Sequence, residues 1–161
     1  MYSIFYAIFY LISLIPWPVV YLLSDGVAFL LRKILKYRLD VVHHNLAIAF
    51  PNKTKQERNQ IAKEFYQKFA DSFFETIKLI SMSDASFNKR FTSNAEVLND
   101  LYPTGQNVQI MAGHFFNWEF ANWGAAKYGK YPFIGVYMPL TNRFFDRLIL
   151  DMRKRYGSIL I

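Results

Sequence analysis

The stretch Gly113–Glu119 (GHFFNWE) decides the fold, because it joins a predicted strand to a predicted helix. The apolar run Asn107–Ala112 (NVQIMA) before it predicts a strand. The run Trp118–Tyr128, with Gly129 near its end, predicts a helix. The two titratable residues of this stretch, His114 and Glu119, therefore lie where a predicted strand is followed by a predicted helix.

The sequence downstream of this stretch repeats the alternation. Pro132–Tyr137 and Ser158–Ile161 are predicted strands, and Arg143–Arg155 between them is a predicted helix that Asn142 caps and Gly157 ends. Strands that alternate with helices indicate an α/β fold with a parallel or mixed sheet and covering helices. Because nothing follows the last strand to cover its far side, we expect the architecture to be cut short.

The residues before the sheet are predicted to be helical. A capping box at Thr54–Glu57 begins a long amphipathic helix that ends near Ile80, with apolar residues at every fourth position. Ser81–Thr92 is predicted to be a connection with a short helix. Asn94–Leu101 is predicted to be a short element at the edge of the sheet.

The N-terminus carries no charged side chain before Asp25, and its apolar run Tyr2–Leu23 is about as long as a membrane-crossing helix of roughly 20 residues. Pro16 and Pro18 interrupt this run, so a kinked helix or a shallow re-entrant insertion into the membrane is an alternative to a straight span. Four cations that follow are typical of a cytoplasmic flank: Arg32, Lys33, Lys36 and Arg38. A membrane helix with a basic flank is the prediction, and a buried helix of a soluble domain with a solvated basic end is the alternative.

Composition narrows the classes of function. The chain has 161 residues, of which 53% are hydrophobic and 19% charged, so it can bury a core and is too apolar for disorder. The net charge of +7 favours anionic partners. Nucleic acid is not favoured, because no recognition motif appears. The absence of cysteine excludes disulfides and thiolate zinc sites, and no two-histidine zinc spacing is present, so neither a metal nor another cofactor is predicted.

His114 and Glu119 are the candidate acid–base pair. The bend between strand and helix can bring them together, and a carboxylate partner would orient the imidazole and balance its charge. The alternative is structural, because the helix dipole alone favours a glutamate in the first turn, where Asn117 is the predicted cap. No Gly-x-Ser-x-Gly elbow is present, so the plausible nucleophile is a hydroxyl of the substrate itself.

The chain resembles the bacterial lipid A biosynthesis lauroyl/myristoyl acyltransferases, which belong to the wider lysophospholipid acyltransferase group. The matching features run in order along the chain. They are the uncharged N-terminus, Tyr37-Arg38, Asn45-Leu46, Phe50-Pro51, the Phe-rich helix with Glu75, Gly113–Glu119, Gly135–Leu140 and Arg153–Gly157. The resemblance covers only about the N-terminal half of that family.

This resemblance implies a glycerol-3-phosphate-acyltransferase-like fold and a mechanism. His114 would deprotonate a hydroxyl of a lipid A precursor, and Glu119 would orient His114. The alkoxide would attack the thioester of an acyl-acyl carrier protein, with Arg153 holding an anionic group or the oxyanion. Asn117 and Arg155 are assigned to substrate binding. The implied location is the cytoplasmic side of the bacterial inner membrane.

The expected organisation has three parts. Residues 1–38 would form the membrane span and basic interfacial helix, residues 39–92 a helical region, and residues 93–161 an incomplete α/β catalytic region. Two alternatives stay open: an acyltransferase that acts on another membrane lipid, and an inactive membrane-anchored fragment.

Overall fold

The structure, a computed structural model, describes residues 2–113, 115 and 117–161. These residues are mostly helical. Their α-helices are α1 (Tyr2–Leu14), α2 (Trp17–Phe29), α3 (Leu39–Ala49), α4 (Lys55–Lys78), α5 (Asp84–Asn88), α6 (Ala95–Asn99), α7 (Trp118–Tyr128) and α8 (Arg143–Arg153). A π-helix spans Leu30–Ile34, and 3₁₀ turns span Tyr102–Thr104 and Lys154–Tyr156. The strands are β1 (Ile134–Gly135) and β2 (Ile159–Leu160).

Contacts divide the chain into two compact units. The first unit contains the residues up to Leu14 together with Thr76–Ile161, and the second contains Ile15–Glu75. The first unit therefore holds α7, α8 and both strands, with every described residue of the predicted site.

The core of the first unit is an aromatic cluster around Phe87, which is fully buried. Trp123 of α7 lies beside it, and the indole N–H of Trp123 donates to the backbone oxygen of Met152 at 2.8 Å. The other rings that surround Phe87 are Phe91, Phe120, Tyr128 and Tyr156. This packing fixes α7 against the end of α8, and so it sets the distance between the side chains that the two helices carry.

The second unit has a buried cluster in which two alanines pack with a tyrosine. Ala28 of α2 packs with Tyr66 and Ala70 of α4 in a buried cluster. The hydroxyl of Ser24 donates to the Asp71 carboxylate at 2.8 Å inside this unit. A buried hydroxyl–carboxylate bond satisfies both polar groups at low cost to the packing.

The continuous apolar span predicted over Tyr2–Leu23 is broken, because α1 ends at Leu14 and α2 begins at Trp17. Pro16 occupies the N-cap position of α2, and a proline there has no N–H to continue the preceding helix. Among the described residues, no single helix has both the length and the apolarity to cross a membrane. The segments Tyr2–Leu14 and Trp17–Ile34 are long and apolar enough only when they are taken together, and they form a bent pair. The predicted membrane helix is therefore not confirmed.

Among the described residues, the predicted parallel or mixed sheet is reduced to two short strands. They run parallel, with Ile134 opposite Ile159 and Gly135 opposite Leu160. The strand predicted over Asn107–Ala112 was wrong, because these residues have no regular secondary structure. A strand needs a neighbour for its backbone groups, and Met111 in this run is 88% exposed. Asn94–Leu101 does not edge the sheet and contains α6 instead, so the mixed sheet and the glycerol-3-phosphate-acyltransferase-like fold are not confirmed.

Local capping signals predicted the helices well. The Thr54 hydroxyl accepts from the Glu57 amide at 3.2 Å, and Glu57 accepts in return from the Thr54 amide at 2.7 Å, as a capping box requires. Asn142 caps α8 by accepting from the amides of Phe144 and Phe145. Gly157 ends the following 3₁₀ turn with a positive φ of 87°.

Candidate functional site

The predicted catalytic stretch Gly113–Glu119 follows the irregular segment 107–112, and its last two residues, Trp118 and Glu119, begin α7. His114 and Phe116 lie outside the described residues, so the predicted role of His114 stays a prediction. Asn117 occupies the N-cap position of α7 with a left-handed backbone, φ 59° and ψ 37°. Its side chain makes no capping hydrogen bond, so that part of the prediction was wrong. A capping side chain reaches the first amides of the helix from an extended backbone. From the left-handed conformation the Asn117 side chain does not reach them.

Glu119 lies in the first turn of α7 and is 5% exposed. One carboxylate oxygen, Oε1, accepts from Nη2 of Arg153 at 2.6 Å, and Oε2 accepts from Nε at 2.9 Å. This is a bidentate, charge-assisted pair, the strongest geometry available to these two groups. Both residues were predicted as site residues, but their contact with each other was not predicted.

The positions of the two residues also suit the helix dipoles. Glu119 stands at the N-terminus of α7, and Arg153 is the last residue of α8. A carboxylate is stabilised at a helix N-terminus and a cation at a helix C-terminus. The hydrogen bonds to Glu119 raise the pKa of Arg153 above its ordinary value, so the guanidinium stays cationic.

The pair leaves donors and acceptors for a further ligand. Two of the five N–H donors of Arg153 bind Glu119, so the guanidinium retains donors for an anion. Each oxygen of Glu119 has two lone pairs and accepts one of these two bonds, so the carboxylate can also accept from an imidazole N–H. The contact between the two side chains is therefore compatible with the predicted role of Glu119 in orienting His114 and with that of Arg153 in binding an anion.

A cleft of about 590 Å³ opens beside Arg153 in the first unit. Arg153 supplies its charge, and the rest of its lining is apolar or uncharged. The other lining residues are Trp118, Asn122, Phe133, Gly135, Val136, Tyr137, Met138 and Leu160. A largely apolar cleft with one cation can accommodate a hydrocarbon chain whose end carries negative charge.

Trp118 and Asn122 in this lining were not predicted as site residues. They stand four residues apart on α7, so they lie on the same face of the helix, and this spacing was the available signal. The side-chain oxygen of Asn122 accepts from the Ser158 hydroxyl at 3.2 Å, which ties α7 to the residue that precedes β2.

Arg155 points into packing contacts. Its Nη1 donates to the backbone oxygen of Leu79 at 3.2 Å, and Nη2 donates to that of Met82 at 3.0 Å. Its guanidinium also lies 4.9 Å from the ring centroid of Trp123. Arg155 thus holds the turn after α4 against α7, and its predicted role in substrate binding stays a prediction.

No metal centre accompanies these groups in the part of the chain that is described. Over residues 2–113, 115 and 117–161, no three His, Cys, Asp or Glu side chains lie close enough to hold a metal ion.

With this geometry in place, comparison with known proteins assigns the family. The model of the family "Bacterial lipid A biosynthesis acyltransferase" matches residues 1–161, so the chain belongs to that family. Its resemblance to such acyltransferases, inferred from the ordered motifs, is therefore confirmed. No solved structure matches the chain.

Three curated relatives are similar over most of the chain. The lipid A biosynthesis lauroyltransferase of Escherichia coli (strain K12) is 28% identical over 144 residues, which is 88% of this chain and 46% of the relative. The lipid A biosynthesis palmitoleoyltransferase of the same strain is 22% identical over 148 residues, 91% of this chain and 48% of the relative. The lipid A biosynthesis acyltransferase of Shigella flexneri gives the same values. The chain thus spans about half the length of these relatives.

Proposed function

We propose that this chain carries the reaction centre of an O-acyltransferase that moves a fatty acyl group from acyl carrier protein to a hydroxyl of a lipid A precursor. The family match over residues 1–161 supports the reaction class. The lauroyl and palmitoleoyl groups belong to the names of relatives at 28% and 22% identity, so the length of the acyl group is left open.

The observation that carries the proposal is the ion pair of Glu119 with Arg153, because Glu119 follows His114 by five residues in the sequence. In the proposed reaction His114 takes the proton of the acceptor hydroxyl, and Glu119 accepts from the imidazole and balances its charge. The alkoxide attacks the thioester carbonyl of the donor, and collapse of the resulting oxyanion breaks the C–S bond. The ester forms, the thiolate of the acyl carrier protein leaves, and the imidazolium returns its proton to that thiolate. The remaining donors of Arg153 bind the oxyanion or an anionic group of the substrate in the cleft.

The bidentate contact adds a positioning role for Arg153. Because two parallel hydrogen bonds fix the plane of the Glu119 carboxylate, they also fix the direction in which its free lone pairs point. Arg153 therefore acts on the histidine through Glu119 in addition to any contact with substrate.

The proposed surroundings follow from charge. The acceptor is a phosphorylated glycolipid and the donor is an acidic protein, and both suit a chain with a net charge of +7. The proposed location is the cytoplasmic side of the bacterial inner membrane. Asn117 and Arg155 are the further proposed substrate contacts, and the alternative acceptor is another membrane lipid.

The test is radiolabelled acyl transfer from acyl-acyl carrier protein to a lipid A precursor, with the chain in membranes. We expect His114→Ala to lower the rate by roughly 10²–10⁴-fold, the usual contribution of a general base. The matched control is His44→Ala, since His44 is an exposed histidine of α3 in the second unit. The control should keep the rate of the unchanged chain.

Two results would contradict the proposal. Equal rates for His114→Ala and His44→Ala would remove the proposed base. Transfer to a phospholipid, but not to the lipid A precursor, would keep the reaction class and replace the acceptor.

A further inference from the structure

Gly135 lies in the middle of the wall that β1 and its flanking residues give to the cleft beside the ion pair. Phe133 and Tyr137 line the same cleft, two residues to either side. Successive side chains of a strand point to opposite faces, so these three positions share one face. Exposure alternates in the same way: Ile134 and Val136 are 57% and 86% exposed, whereas the three residues that share the face are partly buried. We call the space above Gly135, between the side chains of Phe133 and Tyr137, the glycine gap.

The backbone at Gly135 does not require a glycine. The described glycines with a positive φ are Gly105 and Gly157, and Gly135 is not one of them. Its oxygen accepts from the Ile161 amide at 3.1 Å, so the residue belongs to the regular ladder between the two strands. A glycine inside a strand weakens it and often marks a place where a ligand or another backbone approaches closely.

A side chain at position 135 would enter the cleft. A Cβ on Gly135 would lie 3.2 Å from Cδ2 of Leu160 and 3.8 Å from Cε1 of Phe133, and both are side-chain atoms of cleft-lining residues. Leu160 stands directly opposite Gly135 in the register of the two strands. The shorter distance is closer than an optimal contact between carbons, but Cδ2 is the end of a flexible side chain and can shift. Position 135 therefore tolerates a small side chain, which would take up space in the cleft.

The cleft has a cationic end and an apolar end. The pKa of Arg153 is raised first by Glu119 and, more weakly, by the Tyr137 side chain, so Tyr137 lies toward the cationic end. Phe133 lies four residues from Tyr137, which corresponds to about 13 Å along an extended strand. The glycine gap therefore lies between the cation and the apolar wall at Phe133.

We propose that the glycine gap holds the alkyl chain of the acyl donor and that Gly135 determines which chain lengths the protein accepts, an inference that rests on the proposed function. The thioester carbonyl of the donor lies at Arg153, and the alkyl chain runs past Tyr137 and over Gly135 to Phe133. Charge supports this occupant, because an apolar lining with one cation matches an alkyl chain with one polar end. A side chain at position 135 divides the cleft and closes its far part to the chain.

The first test measures binding without reaction. The probes are straight saturated fatty acids from octanoate to palmitate, whose carboxylate takes the place of the oxyanion at Arg153. Calorimetric titration of the full chain gives the preference for palmitate, which is the Kd of octanoate divided by that of palmitate. The preference is compared with that of the unchanged chain in the same medium, so partition of the probes into lipid cancels.

The expected change follows from the methylene groups that leave the cleft. Each buried methylene contributes about 4-fold to binding. Gly135→Ala closes the cleft to about one methylene and should lower the preference for palmitate by about 4-fold. Gly135→Val has a larger side chain and should lower it by roughly 15-fold.

Leu160→Ala is the complementary variant, because it removes the side chain opposite Gly135. It enlarges the glycine gap and should raise the preference for palmitate. Combined with Gly135→Ala, it should return the preference to within about 4-fold of that of the unchanged chain. The matched control is Gly26→Ala in α2, where a Cβ would meet nothing within 4 Å, and it should leave the preference unchanged.

The second test measures acyl transfer in two arms. In the first arm the acceptor is fixed, and lauroyl- and palmitoyl-acyl carrier protein compete as donors. Gly135→Val should shift the products toward the lauroyl ester by roughly 15-fold. In the second arm the donor is fixed and the acyl chains of the acceptor are varied, and Gly135→Val should leave the order of these acceptors unchanged.

Three results would overturn the proposal. They are an unchanged preference in both Gly135 variants, an equal change in Gly26→Ala, and a shift confined to the arm in which the acceptor is varied. The last result would assign the glycine gap to hydrocarbon chains of the acceptor.

Failure of this inference and failure of the proposed function give different results. A chain that transfers no acyl group, but whose preference for fatty acids changes as expected, contradicts the proposed function and supports Gly135 as the residue that limits alkyl length. A chain that transfers acyl groups with the same length preference in every variant supports the proposed function and overturns the role of Gly135.

Discussion

The two ends of α7 each carry an ion pair, and the pairs differ in burial. At the N-terminus Glu119 binds Arg153 through two hydrogen bonds, with side-chain exposures of 6% and 18%. At the C-terminus Lys127 binds Asp84 at 2.6 Å, with side-chain exposures of 14% and 61%, so the two pairs differ in the burial of the carboxylate and not of the cation. Both pairs complement the helix dipole, so the dipole does not explain why one of them is buried.

The difference is consistent with the proposed function at the N-terminal end. Burying two charges costs several kcal/mol of desolvation per ion, and well-packed apolar residues of similar size are often equally stable. A pair whose carboxylate stays mostly in water has a smaller desolvation cost and contributes less to stability. In the proposed function, orientation of His114 by Glu119 gives the buried pair a role besides stability.

The largest expected effect comes from breaking the buried pair. Arg153→Met leaves Glu119 buried without its partner, so we expect the free energy of unfolding to fall by about 3–5 kcal/mol in urea titrations. The combined change Glu119→Leu and Arg153→Met removes both charges and should restore most of this loss.

The same variants separate stability from reaction. Both should lose acyl transfer, because neither retains the carboxylate–guanidinium pair. If the combined variant were to transfer acyl groups at the rate of the unchanged chain, the pair would be structural only. The matched single change at the other end of α7 is Lys127→Met, which should leave transfer intact.

An intermediate effect is expected at Asn117, which begins α7 with a positive φ. Asn117→Ala should destabilise the protein by about 1–2 kcal/mol relative to Asn117→Gly. The reason is that a left-handed backbone is sterically strained for alanine and unstrained for glycine. Thermal unfolding measures this difference.

Acyl transfer by the glycine variant then tests the side chain itself. A lower rate with unchanged stability would support the predicted contact of Asn117 with substrate. If the glycine variant were as fast as the unchanged chain, Asn117 would contribute only by adopting the left-handed backbone conformation at the start of α7.

The smallest effect is expected at the exposed end. Hydrogen bonds from Lys127 first, and then from Tyr156, hold the pKa of Asp84 below its ordinary value of 3.8. A carboxylate with a lowered pKa stabilises the fold fully above the pKa of the unfolded chain, and this contribution disappears as pH falls through the folded pKa.

Asp84→Asn should therefore be slightly less stable than the unchanged chain near neutral pH, and the difference should shrink below about pH 4. Unfolding midpoints measured from neutral to acid pH test this, and added salt should reduce the difference further. A difference that stayed constant across this range would show that Asp84 contributes through packing and not through charge.

Residues that specify their own neighbourhood could be predicted from the sequence. The bounds of α7 were predicted as Trp118–Tyr128 and found there, because Gly129 ends the apolar pattern. The capping box at Thr54 and the cap at Asn142 formed as expected. These signals depend on hydrogen bonds between residues two to four positions apart, so no distant partner is needed.

The tertiary structure alone decided the rest. Asn107–Ala112 has the composition of a strand, yet a strand exists only where a neighbour supplies its hydrogen bonds. Glu119 meets Arg153 across 34 positions because Trp123 and the rings around Phe87 fix α7 against the end of α8. The helix caps and the apolar periodicity of the helices could therefore be predicted from the sequence, whereas contacts between distant residues depend on how the core packs.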